Sequence, residues 1–306
     1  DDFTPAASGA GSLGGLLSGT GTGGVTVTYS GNVDLTLFPG GSPNYLGDIP
    51  DLGGSGTTTN VWIWDSGMTF SGTGTYSGTT VVGARGRTAI TVSLGSSTAL
   101  PVGGPVTIDS SGTSKLDLNG YSATIGKLKL GSNNGGQRGQ VIDSVGGGVL
   151  TLTDGVLVDG HNDGAGGIFC ETVDLNGVTQ TFEINNNKAN STLLVSSTIQ
   201  NGGLIIKGGG TVSVITLSGE LLYTGGTTVQ KGVLKYNNIN NGLPDSSTVE
   251  ILAGAKMNLD FIGSDTIAAL ILGGLDVGTG TFDATTHSSF FTGTGSLLVY
   301  AGNPAD

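Results

Sequence analysis

The fold class is decided by residues 195–236, which read VSSTIQNGGLIIKGGGTVSVITLSGELLYTGGTTVQKGVLKY. In this stretch, short runs of alternating apolar and polar residues are separated by Gly-Gly and Gly-Thr turns, and that alternation is typical of β-strands. The frequent glycines can supply the positive φ angles that tight corners require. A chain that turns this often without a helical pattern is predicted to coil into a solenoid.

A second copy of this pattern lies upstream, so that residues 68–131 resemble residues 215–274. Repetition of this kind is a signature of solenoids, and small differences in spacing are expected where corner loops vary in length. The matching pairs are Phe70-Ser71-Gly72 with Leu217-Ser218-Gly219, Tyr76–Val81 with Tyr223–Val229, Val106–Ile108 with Val249–Ile251, Leu116–Leu118 with Leu259–Phe261, and Leu128 and Leu130 with Leu270 and Leu272. These apolar residues are predicted to form stacked interior columns.

The downstream copy resembles the autotransporter-associated β-strand repeat, a passenger-repeat family of bacterial surface and secreted proteins. The residues that carry the resemblance are Leu217, Ser218, Gly219, Tyr223, Thr224, Gly225, Gly226, Thr227, Thr228, Val229, Gly232 and Leu234. The resemblance implies an extracellular or bacterial cell-surface β-solenoid, exported through a cleaved signal that this chain does not show. The closing membrane barrel of an autotransporter is expected to be missing, since residues 280–300 resemble a repeat terminus.

Composition leads to the same architecture by a separate route. The chain has 59 glycines among 306 residues, 11% charged residues and 36% hydrophobic residues, so it is too apolar for disorder and unsuited to helices. We therefore predict an all-β, right-handed parallel β-helix. Roughly 20 to 25 residues per turn would give on the order of a dozen rungs. The predicted organisation is a Gly/Ser-rich segment at 1–24, a solenoid at 25–300 and a tail at 301–306.

The charge balance disfavours two classes of partner. A net charge of −12 argues against nucleic acid and against anionic membrane surfaces, because both require a basic footprint. No apolar run reaches the roughly 18 residues of a membrane-spanning helix. The single cysteine, Cys170, is interpreted either as a buried structural thiol or as an intermolecular bond partner.

One loop is a candidate metal site. Oxygen-bearing side chains at Asp159, Asn162 and Asp163 stand in a glycine-rich turn, and such turns can hold calcium in parallel β-rolls. The tandem nonapeptide repeat of those rolls is missing, so an ordinary Asx-rich surface turn is the competing interpretation. No other cofactor is predicted.

Two tryptophans form a candidate carbohydrate surface. Trp62 and Trp64 lie on the same face of a predicted strand, where an exposed pair of indoles can stack on sugar rings. The alternative is that both fill the core near the N-terminal end. An active site is not predicted: Arg85, Arg87 and Arg138 are the only arginines, and none adjoins an acidic run of the kind polysaccharide-degrading β-helices use.

Solenoid ends are open sheet edges that must be capped, covered or paired. The segment 1–17 contains small residues with apolar anchors at Phe3, Leu13, Leu16 and Leu17, which suits strand addition to a neighbouring copy. We therefore expect a homopolymer, and the predicted function is a non-catalytic structural protein that forms a fibre or a surface layer. The alternatives are an adhesin that binds carbohydrate or a host surface and, third, a polysaccharide-active enzyme.

Overall fold

A computed structural model describes residues 33–37, 44–45, 48–52, 56–63, 66–83, 88–109, 112–131, 138–159, 165–185, 191–209, 213–238 and 242–300. Within these residues every regular element is a β-strand. The first fourteen are β1 (Val33–Leu37), β2 (Asn44–Tyr45), β3 (Thr59–Ile63), β4 (Met68–Phe70), β5 (Thr80–Val82), β6 (Thr91–Leu94), β7 (Gly104–Ile108), β8 (Thr113–Asp117), β9 (Ala123–Leu130), β10 (Arg138–Ile142), β11 (Val149–Leu152), β12 (Val156–Val158), β13 (Ala165–Phe169) and β14 (Thr172–Ile184). The others are β15 (Thr192–Val195), β16 (Thr198–Lys207), β17 (Val214–Leu217), β18 (Leu221–Leu222), β19 (Thr227–Lys231), β20 (Val233–Tyr236), β21 (Thr248–Ile251), β22 (Lys256–Leu259), β23 (Ser264–Ile267), β24 (Ala269–Leu272), β25 (Leu275–Asp276), β26 (Gly280–Asp283), β27 (Phe291–Gly293) and β28 (Ser296–Val299).

The strands stack into two long sheets. A 14-stranded sheet runs β1-β3-β5-β7-β9-β11-β14-β16-β19-β21-β24-β25, with β12 and β18 beside this path, and an 11-stranded sheet runs β2-β4-β6-β8-β10-β13-β15-β17-β20-β22-β27. Because the chain visits the sheets in turn, each circuit adds one strand to the 11-stranded sheet. The named pairings are parallel except β24–β25 and β26–β28. The predicted all-β parallel β-helix with about a dozen rungs is confirmed.

Hydrogen-bonded partners in neighbouring turns show the length of each turn. Leu128 pairs with Val156, 28 positions later, whereas Val229 pairs with Ile251, 22 positions later. The long strand β9 pairs with β11 through its first half and with β12 through its second half, so these turns have three straight segments. Corners of variable length therefore absorb the drift between the sequence repeats.

The core is built from columns of side chains, one from each turn. In the 11-stranded sheet, one column is continuous and fully buried: it contains Val92, Leu116, Val141, Ile168, Val195, Leu217, Tyr236 and Leu259. The eight residues predicted to form interior columns are all buried as well: Leu116, Leu118, Leu128, Leu130, Leu259, Phe261, Leu270 and Leu272. The predicted core is therefore confirmed, and burial of these columns is the main favourable term in folding.

The two sequence copies form corresponding strands in two separate parts of the solenoid. Strands β4, β6 and β8 of the first copy and β17, β20 and β22 of the second belong to the 11-stranded sheet, while β5, β7 and β9 and their counterparts β19, β21 and β24 belong to the 14-stranded sheet. A buried hydrogen bond is repeated too: the Tyr76 hydroxyl lies 2.6 Å from the Thr80 hydroxyl, and Tyr223 contacts Thr227 in the same way.

Candidate functional site

Of the two tryptophans predicted to form a carbohydrate surface, Trp62 is among the described residues. Trp62 lies on the outer side of β3, between the inward-facing and buried Val61 and Ile63, and it is half-buried. Its partner in the next turn is Val81 of β5. Val81 lies on the same outer face and is buried. Trp62 thus lies on the face of β3 that points away from the core columns, with its indole Nε1 buried. Trp64 lies outside the described residues, so a paired indole surface stays a prediction.

The calcium candidate rests on one described residue. Asp159 follows β12 and is buried, with one carboxylate oxygen 2.6 Å from Lys129 Nζ and the other accepting a hydrogen bond from the Asn185 side-chain amide. Lys129 belongs to the preceding turn and Asn185 to the following one, so the carboxylate ties three turns together. A cation bound here would have to displace the ammonium group. Asn162 and Asp163 lie outside the described residues.

Other carboxylates along the solenoid are also occupied by local donors. Asp117 accepts hydrogen bonds from the Asn119 amide at 2.9 Å and, in the next turn, from the Ser144 amide and hydroxyl at 2.9 and 2.6 Å. Asp143 accepts from the amides of Gly120 and Gly148, each at 2.7 Å. These groups satisfy backbone N–H donors at corners, which is a structural role. Among the described residues, no group of three or more His, Cys, Asp or Glu could hold a metal ion.

One acidic residue has an unusual environment. Asp265, in β23, is buried, and its carboxylate accepts a hydrogen bond of 2.9 Å from the Leu243 amide. Burial raises the pKa of Asp265 to about 6, and the negative charge of Asp245 acts in the same direction. The Tyr223 and Tyr236 side chains are near enough for the acid to raise their pKa values further.

The buried position of Cys170 agrees with the structural-thiol interpretation. Its Sγ lies 3.6 Å from the Ser197 hydroxyl, and burial raises the pKa of the thiol to about 11. A thiol in this state is a poor nucleophile at neutral pH.

The predicted assembly residues Phe3, Leu13, Leu16 and Leu17 lie outside the described residues. Strand β1, the first described strand at the N-terminal end of the solenoid, could accept such a segment. Among the described strands, β1 is paired on one side only, with β3, in the register Val33–Thr59 to Leu37–Ile63. Its N-terminal edge therefore presents backbone groups to whatever segment covers it.

The opposite end is closed by strands. The 14-stranded sheet finishes in a hairpin in which Gly273 and Gly274, both with positive φ, return β25 antiparallel onto β24. A 3-stranded sheet, β23-β28-β26, covers another part of this end, with β26 antiparallel to β28. Gly278, Gly280 and Gly293 add further positive φ angles. Short, kinked and antiparallel strands are a recognised way to prevent edge-to-edge pairing.

Two corners of the solenoid share a tetrapeptide that the sequence analysis did not use. The tetrapeptide Asp-Leu-Asn-Gly occurs at 117–120 and again at 174–177. In both copies the Asp side chain accepts a hydrogen bond from the Asn amide, and the Asn has positive φ, 52° for Asn119 and 59° for Asn176. The identical tetrapeptides could have located these two corners.

Comparisons with protein-family models, with curated proteins and with solved structures gave no match to this chain. Within the described residues, no helix has the length and apolar character needed to cross a membrane. The geometry of the solenoid is therefore the basis for the function proposed below.

Proposed function

We propose that this chain is a non-catalytic structural protein of the cell exterior that self-assembles into a fibre or a surface layer. The observation that carries the proposal is the asymmetry of the two ends. At the C-terminal end the 14-stranded sheet finishes in the antiparallel β24–β25 hairpin and β26 pairs antiparallel to β28, whereas β1 is paired on one side only among the described strands. A strand edge next to a segment with apolar anchors is a general route to strand addition between copies.

The lateral surface supports the same proposal. Lys129–Asp159, Lys207–Glu183 and Lys235–Asp260 are ion pairs between neighbouring turns, with N–O distances of 2.6, 2.9 and 2.7 Å. These charged side chains thus pair with each other from one turn to the next. Export through a cleaved signal and location on a bacterial surface, as the family resemblance implies, belong to this proposal.

Removal of residues 1–17 tests the proposal. The truncated chain should keep the circular dichroism of a β-protein, because the described core columns lie at β1 and beyond, but it should lose the large particles seen by light scattering and electron microscopy. A chain with Phe3, Leu13, Leu16 and Leu17 all changed to Ser is the matched full-length control and should behave in the same way. A full-length chain that stays monomeric at high concentration would contradict self-assembly.

An adhesin is the second candidate, and the outer position of Trp62 beside Val81 favours it. The half-buried Trp62 side chain presents part of its surface outward, and aromatic side chains at a surface are common contact points for sugar rings. A glycan-array signal that is lost in Trp62→Ala and retained in Tyr121→Ala, a change at an aromatic residue that is 40% exposed elsewhere, would support this function. A polysaccharide-active enzyme ranks third.

A further inference from the structure

We propose that Asp265 is a pH-sensitive latch on the C-terminal end of the solenoid: its protonation holds strands β23, β28 and β26 shut, and its ionisation loosens them. These strands form the 3-stranded sheet, which is called the closing sheet below. The inference goes beyond the proposed function and does not depend on self-assembly. It rests on the inward position of the carboxylate, on the charges around it and on the connection of the closing sheet to β27.

Asp265 occupies a core position of the closing sheet. Buried residues alternate with exposed or half-buried ones along β23, and the two buried ones are Asp265 and Ile267, so both point to the same side of the strand. The partner of Asp265 in β28 is Leu297, which is also buried. The residue at the same place in the upstream sequence copy, five positions before Leu128, is the buried Ala123. A carboxylate therefore stands where the repeat otherwise has an apolar side chain.

The corner between β20 and β21 packs directly against this carboxylate. One oxygen of Asp265 accepts a hydrogen bond of 2.9 Å from the Leu243 amide. A Cβ on Gly242 would lie 2.1 Å from the other oxygen, so that the residue at this position has to be a glycine if the carboxylate is to keep its place. The carboxylate thus joins the closing sheet to a corner of the solenoid body, and its charge state acts on that joint.

The titratable groups that face Asp265 do not offset its negative charge. They are Tyr223 and Tyr236 in the core and Asp245 in the corner, while β28 contributes the uncharged Leu297. Both tyrosine hydroxyls are hydrogen-bonded to other groups. Within the part of the chain that the structure describes, no ion pair joins Asp265 to a Lys, Arg or His. Burial raises the pKa of Asp265 to about 6, and the charge of Asp245 also opposes ionisation.

Loosening of the closing sheet would change what the end of the solenoid presents. β23 pairs with β28 in parallel register, and β28 pairs with β26 in antiparallel register. β27 lies between β26 and β28 in the sequence and covers the edge of β22. Release of β26 and β28 therefore frees β27 as well and uncovers the four-residue edge of β22. Because such an edge can pair with another strand, loss of one proton controls access to it.

Amide hydrogen exchange of the full chain, followed by mass spectrometry and corrected for the intrinsic pH dependence of exchange, tests the latch. The pKa of Asp265 is higher in the closed state than the ordinary value of 3.8, so the added closing stability is complete below that value and is lost as the pH rises through about 6. We expect the protection of amides in β23 and β28 to fall about tenfold between about pH 5 and pH 7, as these two pKa values require.

Three variants separate the latch from other effects of pH. Asp265→Asn keeps an acceptor for the Leu243 amide but cannot ionise, so it should not show the fall in protection. Asp245→Asn should move the fall to lower pH, because it removes the neighbouring negative charge. Asp276→Asn, at an exposed acid in the neighbouring hairpin, is the matched control and should behave like the parent.

Two results in the cap strands would overturn the latch: a parent whose protection there does not change with pH, or a fall of the same size in the parent and in Asp265→Asn. The comparison with strands β15 and β17, in the middle of the solenoid, tests whether the opening is local. At about pH 7 the amides of β23 and β28 should be at least tenfold less protected than those of β15 and β17. Equal protection of the two regions at every pH would show that Asp265 acts on unfolding of the whole solenoid, which would also overturn the latch.

Discussion

At the scale of single residues, the hydroxyl pair formed by Tyr223 and Thr227 links the repeat motif to stability. Both side chains are buried, and each hydroxyl is the partner of the other. The same pair recurs as Tyr76 and Thr80, so the spacing of four residues in the motif places one polar contact inside an otherwise apolar core. Low dielectric strengthens such a contact and makes a missing partner costly.

Tyr223→Phe should lower the free energy of unfolding by about 1 to 2 kcal/mol, because it leaves the Thr227 hydroxyl buried without its partner. Thr227→Val should have a similar effect, and the double variant should be less destabilised than the sum of the two. Denaturant unfolding of the four proteins measures this coupling. Tyr121→Phe, at an exposed tyrosine, is the control. Additive effects would show that the hydroxyls do not stabilise the fold jointly.

Asp265 should make stability depend on pH in the acidic range. Its pKa is raised from 3.8 to about 6, so the folded protein binds this proton more tightly than the unfolded chain does. Protonation therefore stabilises the fold: the contribution is complete below the unfolded pKa and is lost as the pH rises through about 6. Its size is on the order of 3 kcal/mol.

Asp265→Asn, which is neutral at every pH, should remove this loss, so the stability difference between variant and parent should grow from about pH 4 to pH 6.5. Unfolding midpoints measured across that range give the difference. Asp154→Asn, at a carboxylate that is 74% exposed, should leave the slope unchanged. A parent and an Asp265→Asn variant with parallel pH profiles would contradict the assigned burial effect.

At the scale of strands, ion pairs between turns differ in value according to their burial. Lys129 and Asp159 join β9 to the residue after β12, and the Asp159 side chain is 9% exposed. Lys235 and Asp260 make a similar contact at 2.7 Å, but there the acid is 51% exposed. An exposed pair is largely screened by water, whereas a buried acid depends on its partner.

Lys129→Met should lower the free energy of unfolding by about 3 kcal/mol, because it leaves the Asp159 charge buried and unpaired. Lys235→Met removes the same charge from an exposed pair and should cost less than about 1 kcal/mol. Urea denaturation of both variants makes the comparison. If added calcium restores the stability of Lys129→Met but not that of the parent, the carboxylate can hold a cation once the ammonium is gone. Equal losses in the two variants would show that burial does not set the value of the pair.

The strands that the sequence predicted well are those with a repeated local signal. Alternation and turn glycines located β17, β19 and β20, and the internal repeat assigned their counterparts upstream. Strands β25, β26 and β28 have no counterpart in the first copy, and their antiparallel pairing depends on contacts between distant residues. The burial of Asp265 has the same origin, since no local pattern places a carboxylate against the Leu243 amide. The outer side of Trp62 followed only from the register of β3.

At the scale of the whole molecule, the C-terminal strands act as a stop. Deletion of residues 262–306 removes β23 to β28 and exposes the edges of β21 and β22, which pair with β24 and β27 in the full chain. Because four-residue parallel edges can pair with another chain, the deletion should produce longer particles than the full-length chain does, by light scattering and electron microscopy. Deletion of residues 301–306 alone is the control. If both deletions leave the particle size unchanged, these strands do not prevent end-to-end association.

The separation of paired residues, 22 positions between Val229 and Ile251 and 28 between Leu128 and Val156, also has a mechanical consequence. Hydrogen bonds between turns lie along the long axis of a solenoid, so axial tension loads one turn at a time. The molecule should therefore peel in steps rather than break at once. With about 3.3 to 3.6 Å for each extended residue, every step releases roughly 75 to 100 Å of chain. Anchored at one end, such a protein is an extensible tether that yields to traction in graded increments.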